Sequence, residues 1–444
     1  MGTTARSIAP DARYAALFGR ALPQLPGARH GAIRRRREAG FERFLALGFP
    51  GPKTEAWKYT SVGPLARTRF DLAARPRLRR ADVRPYLVRG AKHLVFVNGH
   101  FAAELSDDQA VGESMTVGSL AAALERGDST VLDALAEADP ERAFSALNEA
   151  FVGDGCLIRL GDGVAPDRPV QLLFMTVDQD PPAVLNPRNV VVVGDGARLS
   201  LIESHIMPDG GRGLTNLVNH VVVGRGAELR HDRLQIGPAA GTLIGQTRYD
   251  ISADARLTQS LATMGGALVR NEIRAVIQGG GIEATLNGLY FARERQHVDN
   301  HILVEHAAPG SMSNQFYKGI LDDQSQGVFA GKIVVRRAAQ KTNAYQSNNN
   351  LLLSPDAEID TKPELEIFAD DVKCSHGATA GELDERELFY LRSRGLDPAT
   401  ARSVLTFAFA GEVLARFGHP AIAQQARAGL LDRLPGGAAL GELA

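Results

Sequence analysis

The sequence predicts a mainly β protein whose central part is a β-solenoid, with helical segments before and after it. Two observations support this fold class. The zone from about residue 151 to 376 is rich in Val, Ile, Gly and Asn, with short apolar runs separated by Gly/Asp turns. Within it, VVVGDGARLSLIESH at Val191 returns as VVVGRGAELRHDRLQ at Val221, an offset of 30 residues. Helical spacing is confined to the flanks.

Weaker copies of this segment support the repeat. They begin at Asp250 (DISADARLTQSL), Val276 (VIQGGGIEATLNGL) and Leu351 (LLLSPDAEIDTKPEL). The first four copies recur after roughly 27 to 30 residues, and the register then becomes irregular. Because one coil cannot bury its own apolar face, stacked coils explain such a period. A Greek-key sandwich is the alternative, although it does not require the same turn at the same offset. The run Asn348–Asn350 fits either stacked turns or a plain surface loop.

The N-terminal region, residues 1–150, is predicted to be mostly helical. HLVFVNGHFAAEL is the exception, because Asn98-Gly99 between apolar runs predicts a hairpin. The helical segments that we predict are Tyr14–Leu25, Ala28–Leu47 and Val117–Ala150.

The C-terminal region, residues 381–444, also reads as helical. Asp384 can cap one helix that stops at Gly395, and Asp397-Pro398 can open a second. The apolar side chains of the second helix cover more than one face. We expect one face to pack against the end of the solenoid, whose core spans residues 151–380, and another to bind a partner.

Composition excludes several classes of protein. In 444 residues, 44% are hydrophobic and 23% are charged, with a net charge of −1. This balance argues against a nucleic-acid binder or an anionic-membrane binder. The run Arg34–Arg37 is interpreted as a solvated helix face. The apolar stretch Val404–Leu414 is interrupted by Glu412 and is too short to span a bilayer. With two cysteines and no apolar leader, the expected location is the cytoplasm.

Sequence signatures of enzymes are mostly absent. The chain has no GxxxxGK[ST] phosphate loop, so no ATP site of its own is expected, and it has no GxSxG or HExxH. Gly279–Gly281 lies between strand-like runs and is read as a turn. His297, Asp299 and His301 share a strand face and could bind a metal. No fourth ligand is evident, which favours a polar face or a network in the solenoid interior. Cys156 alternates with apolar residues and is expected in the core.

The tetrad Lys373-Cys374-Ser375-His376 is the most informative motif. Residues i and i+2 of a strand point to the same face, so Cys374 and His376 would lie side by side where the strand pattern ends. A thiol and an imidazole are suitable ligands for a soft or borderline metal. Taken alone, the motif also fits a small core Cys beside a surface His.

Three longer stretches resemble the SufB/SufD family of iron–sulfur cluster assembly proteins. They are TEAWKYTS, LFYLRSRGLDPATAR and the segment from VDNHILVEH to KCSHGAT, and the likeness extends over essentially the whole chain. KCSHGAT resembles the SufD branch, since SufB members carry a Glu-His-Glu run where this chain has Cys374 to Gly377. The resemblance implies a right-handed parallel β-helix between helical segments.

The resemblance also implies a function. A SufD-like chain would be a non-catalytic scaffold that assembles with a SufB-like paralogue and two copies of the ATPase SufC. A transient Fe–S cluster would form at the SufB–SufD interface, where Cys374 and His376 match the family's proposed metal ligands. The helices at about 382–434 match the SufC-binding segment, and the isolated chain could form a homodimer. The alternatives are a SufB-like scaffold that accepts sulfur and cluster directly, and a β-helix enzyme that acts on polysaccharide.

Overall fold

The predicted mainly β solenoid is confirmed. The computed structural model describes residues 7–112, 114–128, 131, 142–208 and 211–437. Within these residues, strands alternate between two sheets and build a parallel β-helix of about eight turns. Sheet A consists of β5 (Ala110–Val111), β6 (Met115–Ser119), β7 (Cys156–Leu160), β9 (Val184–Leu185), β10 (Arg188–Val193), β12 (Leu214–Val223), β14 (Thr242–Ile251), β16 (Leu268–Ile277), β18 (His297–His306), β20 (Gln326–Val335) and β22 (Glu358–Ile367).

The other strands form a second long sheet and a small pair. Sheet B consists of β3 (Lys92–Val97), β4 (His100–Phe101), β8 (Val170–Met175), β11 (Arg198–Ile206), β13 (Glu228–Ile236), β15 (Arg256–Met264), β17 (Glu283–Ala292), β19 (Met312–Leu321), β21 (Thr342–Leu352) and β23 (Val372–Gly381). The pair is β1 (Ser7–Ile8) with β2 (Phe49–Pro50). Alternate residues of both long sheets point inward, and those of the coils before the last one form an apolar core.

The repeat extends further than the sequence suggested. Val191 pairs with Val221 and Val221 with Tyr249, so the strongest echo is a true coil-to-coil register. In-register pairing continues to β23, where Gln346 pairs with His376. The prediction that the register becomes irregular was therefore wrong. The copy at Leu351 begins in β21 of sheet B, whereas the first four copies begin near the ends of sheet A strands. Its distance from the earlier copies therefore does not measure the length of a coil.

Nine α-helices flank the solenoid in the described part of the chain. They are α1 (Ala12–Ala21), α2 (Gly31–Leu47), α3 (Gly63–Arg67), α4 (Arg80–Val83), α5 (Leu120–Glu125), α6 (Ala143–Phe151), α7 (Glu385–Ser393), α8 (Pro398–Leu414) and α9 (Pro420–Leu431). The expected hairpin is present as β3 and β4, with positive φ at Asn98 (46°) and Gly99 (74°). Val117–Ser119, which we expected to be helical, belongs to strand β6. Residues 129, 130 and 132–141 of that predicted helix lie outside the described residues.

The N-terminal helices cover part of the outer face of sheet A. Aromatic rings from α1, α2 and α6 pack with Leu214 and Ile244 of the sheet. The basic run on α2 is only partly solvated, contrary to our interpretation. Arg37 is 1% exposed and donates to the carbonyls of Val152 (2.7 Å) and Pro26 (2.9 Å). The reason is that α2 packs against α6, so one side of the run faces protein.

The C-terminal helices lie along the outer face of sheet B, and they do not seal the end of the solenoid as we expected. Val413 and Leu414 of α8 pack with Leu234 and Met264 of the sheet. At the α8–α9 turn, the carboxylate of Asp232 accepts the backbone N–H groups of residues 418 (3.1 Å) and 419 (2.7 Å). The end of the solenoid is therefore left uncovered by these helices.

Candidate functional site

The last coil, formed by β22 and β23, ends both long sheets. We call these two strands the open end. Among the residues that the structure describes, β22 pairs only with β20 and β23 pairs only with β21, so each strand has one edge whose backbone groups are unpaired there. β23 is largely exposed along its length, unlike the strands before it. A free strand edge is a template for pairing with another chain.

Cys374 and His376 lie together on β23, as the sequence predicted from their spacing. Cys374 pairs in register with Ala344 and packs against a small apolar cluster that includes Ile333 and Val335. His376 is two residues further along the same inward-directed face, and it is exposed because no further coil covers it. The open end thus presents a half-buried thiol and an exposed imidazole side by side.

The environment of Cys374 affects its chemistry. Partial burial raises the pKa of the Cys374 thiol, and the backbone amide of Ala344 opposes this shift only in part. The group is therefore a thiol in the isolated chain at neutral pH. Since metals bind the thiolate, coordination must displace this proton. Among the described residues, no group of three or more His, Cys, Asp or Glu side chains could hold a metal ion.

The other strand of the open end, β22, carries apolar and charged side chains. Ile367 (40% exposed) and Phe368 (56% exposed) stand at the end of β22, which is unusual for large apolar groups. The outward face of β22 is charged, and Lys362 forms ion pairs with Glu55 (3.1 Å) and Glu364 (2.9 Å). Pro363 removes one backbone donor from the edge. The open end therefore combines free backbone groups with an apolar border.

The second metal candidate from the sequence has a structural role. His297, Asp299 and His301 do share the outer face of β18, but Asp299 forms a buried ion pair with Arg270. Although burial raises the pKa of Asp299, the Arg270 guanidinium outweighs it and holds that pKa well below its usual range. Arg270 also lies over the Trp57 ring, 3.9 Å from its centroid. This cluster fastens the N-terminal loop to the solenoid.

The remaining sequence candidates are also structural. Cys156 is fully buried in the core, as expected, and burial raises its pKa. Gly279–Gly281 forms a turn between β16 and β17. Asn348 and Asn350 lie inside strand β21, so neither a turn stack nor a surface loop was correct. Their amides bond to each other (2.7 Å) within the solenoid because both face inward.

A second exposed surface lies on the C-terminal helices. Phe389 (73% exposed) and Tyr390 (57% exposed) are adjacent on α7, a helix that is otherwise mostly charged. We did not single out this pair from the sequence, although two aromatic residues among charges were a visible signal. A groove of about 840 Å³ separates α7 from α8, and it is lined by Tyr390, Leu405 and Phe409 among others. Leu414, on the same helix, is instead buried against sheet B.

In the described part of the chain, no helix is long and apolar enough to cross a membrane.

Comparisons with known proteins match this chain to one protein family. Residues 174–409 match the family model for the SufBD core domain of the SUF system of FeS cluster assembly, and residues 8–172 match the SufBD N-terminal region. An iron–sulfur cluster assembly SufBD family protein of Synechocystis is 33% identical over 390 residues, covering 85% of this chain and 86% of its own.

Two relatives are named as iron–sulfur cluster assembly proteins SufD. The Escherichia coli protein is 31% identical over 400 residues, covering 89% of this chain and 92% of its own. The Bacillus subtilis protein is 24% identical over 276 residues, covering 62% of this chain and 63% of its own. The chain therefore belongs to the SufB/SufD family of iron–sulfur cluster assembly proteins, in its SufD branch.

Proposed function

We propose that this chain is a non-catalytic scaffold subunit of a SufB–SufC–SufD complex and helps to form the nascent cluster site at its interface with SufB. The observation that carries the proposal is the open end of the solenoid. There, Cys374 and His376 stand on a strand whose outer edge is free. The family match supports the assembly of Fe–S clusters as the process.

Edge pairing is the proposed mode of contact with the SufB-like paralogue. The free edges of β22 and β23 can extend both sheets across the interface, as in β-strand addition. Ile367 and Phe368 would be covered by the partner, which removes exposed apolar surface from water. The same edges could pair two copies of this chain, so we propose a homodimer when the partner is absent.

The chemistry of the two ligands suits a cluster that must be passed on. Fe–S clusters are held by Cys thiolates, and His can replace some of them. The open end offers one thiol and one imidazole, so the remaining ligands would come from the partner across the interface. The cluster is cargo in this scheme. A site divided between two chains can release it when the chains move apart.

We place the SufC contact on the C-terminal segment, residues 381–444. Phe389 and Tyr390 are exposed aromatic side chains, which often supply most of the binding energy at an interface. The groove lined by Leu405 and Phe409 is adjacent to them and reaches residues 379–381 of β23. ATP-driven movement of SufC could therefore be transmitted through α7 to the strand that carries His376.

ATP hydrolysis would belong to SufC, since this chain carries no phosphate-cradling loop in its sequence. We propose the cytoplasm as the compartment. The support is that both cysteines are free thiols, one deep in the core and one at the open end.

Reconstitution tests the proposal. The full chain is co-expressed with a SufB-like and a SufC-like partner, the mass of the complex is measured, and sulfide-dependent cluster uptake is compared with that of the chain alone. We expect a stable complex with two SufC copies and cluster uptake that requires the SufB-like chain. Equal uptake by the isolated chain would instead support the SufB-like role, and failure to form a complex would refute the scaffold role.

A further inference from the structure

A column of polar side chains runs inside the solenoid towards the open end. Gln315, Gln346 and His376 occupy in-register positions on neighbouring strands of sheet B, all on the inward face. Gln315 is fully buried and Gln346 is 4% exposed. His376 is the last member, because no strand in the described part of the chain lies beyond β23. The column therefore leads from the protein interior to the proposed cluster ligand.

The amide of Gln346 is held in a defined orientation. Its Nε2 donates to Oε1 of Gln315 at 2.8 Å, which turns its own Oε1 away from Gln315. The amide also lies against Gly331 of β20, where a Cβ atom would collide with Nε2. Glycine at this position therefore leaves room for the Gln346 side chain across the interior.

One atom of this amide is left without a partner. Oε1 of Gln346 is buried and accepts no hydrogen bond. A buried carbonyl without a donor destabilises a fold by about 1 to 3 kcal/mol. The next side chain in the column is that of His376, which pairs in register with Gln346. Same-face side chains on neighbouring strands have Cβ atoms about 5 Å apart, so the two side chains can reach each other. An imidazole N–H of His376 is the donor that this position makes available.

We propose that Gln346 is a positioning residue for His376: its Oε1 accepts the ring N–H and thereby leaves the other ring nitrogen, with its lone pair, directed out of the open end. A histidine ligand binds metal through its unprotonated nitrogen, and the hydrogen bond of the other nitrogen selects the tautomer. Gln346 itself does not touch the metal. The role in cluster binding rests on the proposed function, whereas the hydrogen bond does not.

The test is the tautomer of His376 in the full, metal-free chain, measured by two-bond ¹H–¹⁵N NMR with ¹⁵N-labelled histidine. His376 is assigned from the signal lost in His376→Ala. In the unaltered chain we expect one tautomer to dominate. Gln346→Met removes the acceptor at nearly constant volume and should shift the tautomer ratio by about fivefold.

Two variants control this result. Gln346→Glu keeps an acceptor oxygen and should preserve the dominant tautomer. Gln259→Met makes the same chemical change at a fully buried position in the same column, remote from His376, and should leave the ratio unaltered. Its folding also shows whether the column tolerates methionine.

Two outcomes would overturn the proposal: mixed tautomers in the unaltered chain, or an unchanged ratio in Gln346→Met. The first needs no variant, so the test holds even if Gln346→Met fails to fold. If the tautomer behaves as expected but His376→Ala leaves cluster assembly intact, the hydrogen bond stands and the ligand role of His376 fails. The two ideas are therefore separable.

Discussion

At the scale of single residues, charges inside the solenoid are stabilised by partners that they meet only in the fold. Glu203 is 1% exposed and lies against His205 (2.6 Å), His231 (3.2 Å) and Arg233 (3.3 Å). Burial alone would raise its pKa, but Arg233 and the two histidines hold that pKa well below the usual range. Replacing Glu203 would remove the ion-pair partner of the buried Arg233, which is far costlier than losing a surface pair.

His376→Ala should lower cluster assembly by about tenfold or more in the reconstituted complex, because a lost ligand weakens the site at least as much as a lost supporting residue. Folding should be nearly unchanged, within about 0.5 kcal/mol, since the side chain is exposed. Iron and sulfide content and urea unfolding are the two measurements. Ser375→Ala is the matched control, as its side chain is exposed on the opposite face of β23. Unchanged cluster content in the double variant, His376→Ala combined with Cys374→Ala, would exclude the ligand role of both residues.

His306 should make stability depend on pH. Burial lowers its pKa from 6.5 to about 4, so the folded chain resists a proton that the unfolded chain binds. The stabilisation is complete above pH 6.5 and falls by up to about 3 kcal/mol as the pH approaches 4. His306→Gln should flatten this decline when urea unfolding is compared at pH 7 and 5. His376→Gln, at an exposed side chain, is the control. An unaltered slope in His306→Gln would contradict the prediction.

At the scale of elements, the helices that follow the solenoid have separate roles. α8 and α9 cover apolar residues of sheet B, whereas α7 has only Leu388 buried and carries the two exposed aromatic rings. Deleting everything after residue 380 should abolish SufC binding, as the family resemblance implies. The deletion would also uncover Leu234, Met264 and Phe291, so loss of binding alone would not locate the contact.

A surface change on α7 separates these roles. Phe389→Ser combined with Tyr390→Ser should weaken SufC binding by about 30-fold, because interface aromatic residues commonly contribute 2 kcal/mol or more. Pairing with the SufB-like chain should persist, since β22 and β23 are untouched. Titration calorimetry measures the first, and co-purification measures the second. Leu45→Ser, at an exposed position on α2, is the control. Undiminished affinity would place the ATPase contact elsewhere.

At the scale of the whole molecule, the two ends of the solenoid differ. At the N-terminal end, short antiparallel strands extend each sheet: β6 and β5 in sheet A, and β4 beside β3 in sheet B. Very short edge strands are a common protection against edge pairing. β22 and β23 have a free edge, so association is expected at the C-terminal end.

The isolated chain is therefore expected to dimerise through its open end. Ile367→Lys with Phe368→Lys places two charges where the apolar border would be buried and should yield a monomer. Light scattering gives the mass. Leu45→Lys with Tyr59→Lys alters similarly exposed side chains elsewhere and should leave the dimer intact. A dimer that survives the first pair of changes would exclude this surface.

The sequence alone determined the solenoid, its flanking helices, the hairpin at Asn98-Gly99 and the shared face of Cys374 and His376. These features follow from local periods, since coil spacing, turn residues and i, i+2 alternation are visible in a short window. The caps of α7 at Asp384 and of α8 at Asp397 are equally local.

Only the tertiary structure decided which surfaces are covered. It buried Arg37 under α6, paired Asp299 with Arg270, and laid α8 along sheet B and away from the end of the solenoid. It also brought Gln346 beside His376, residues 30 positions apart that meet only through strand register. Such contacts depend on which elements pack together, and long-range packing leaves no local period in the sequence.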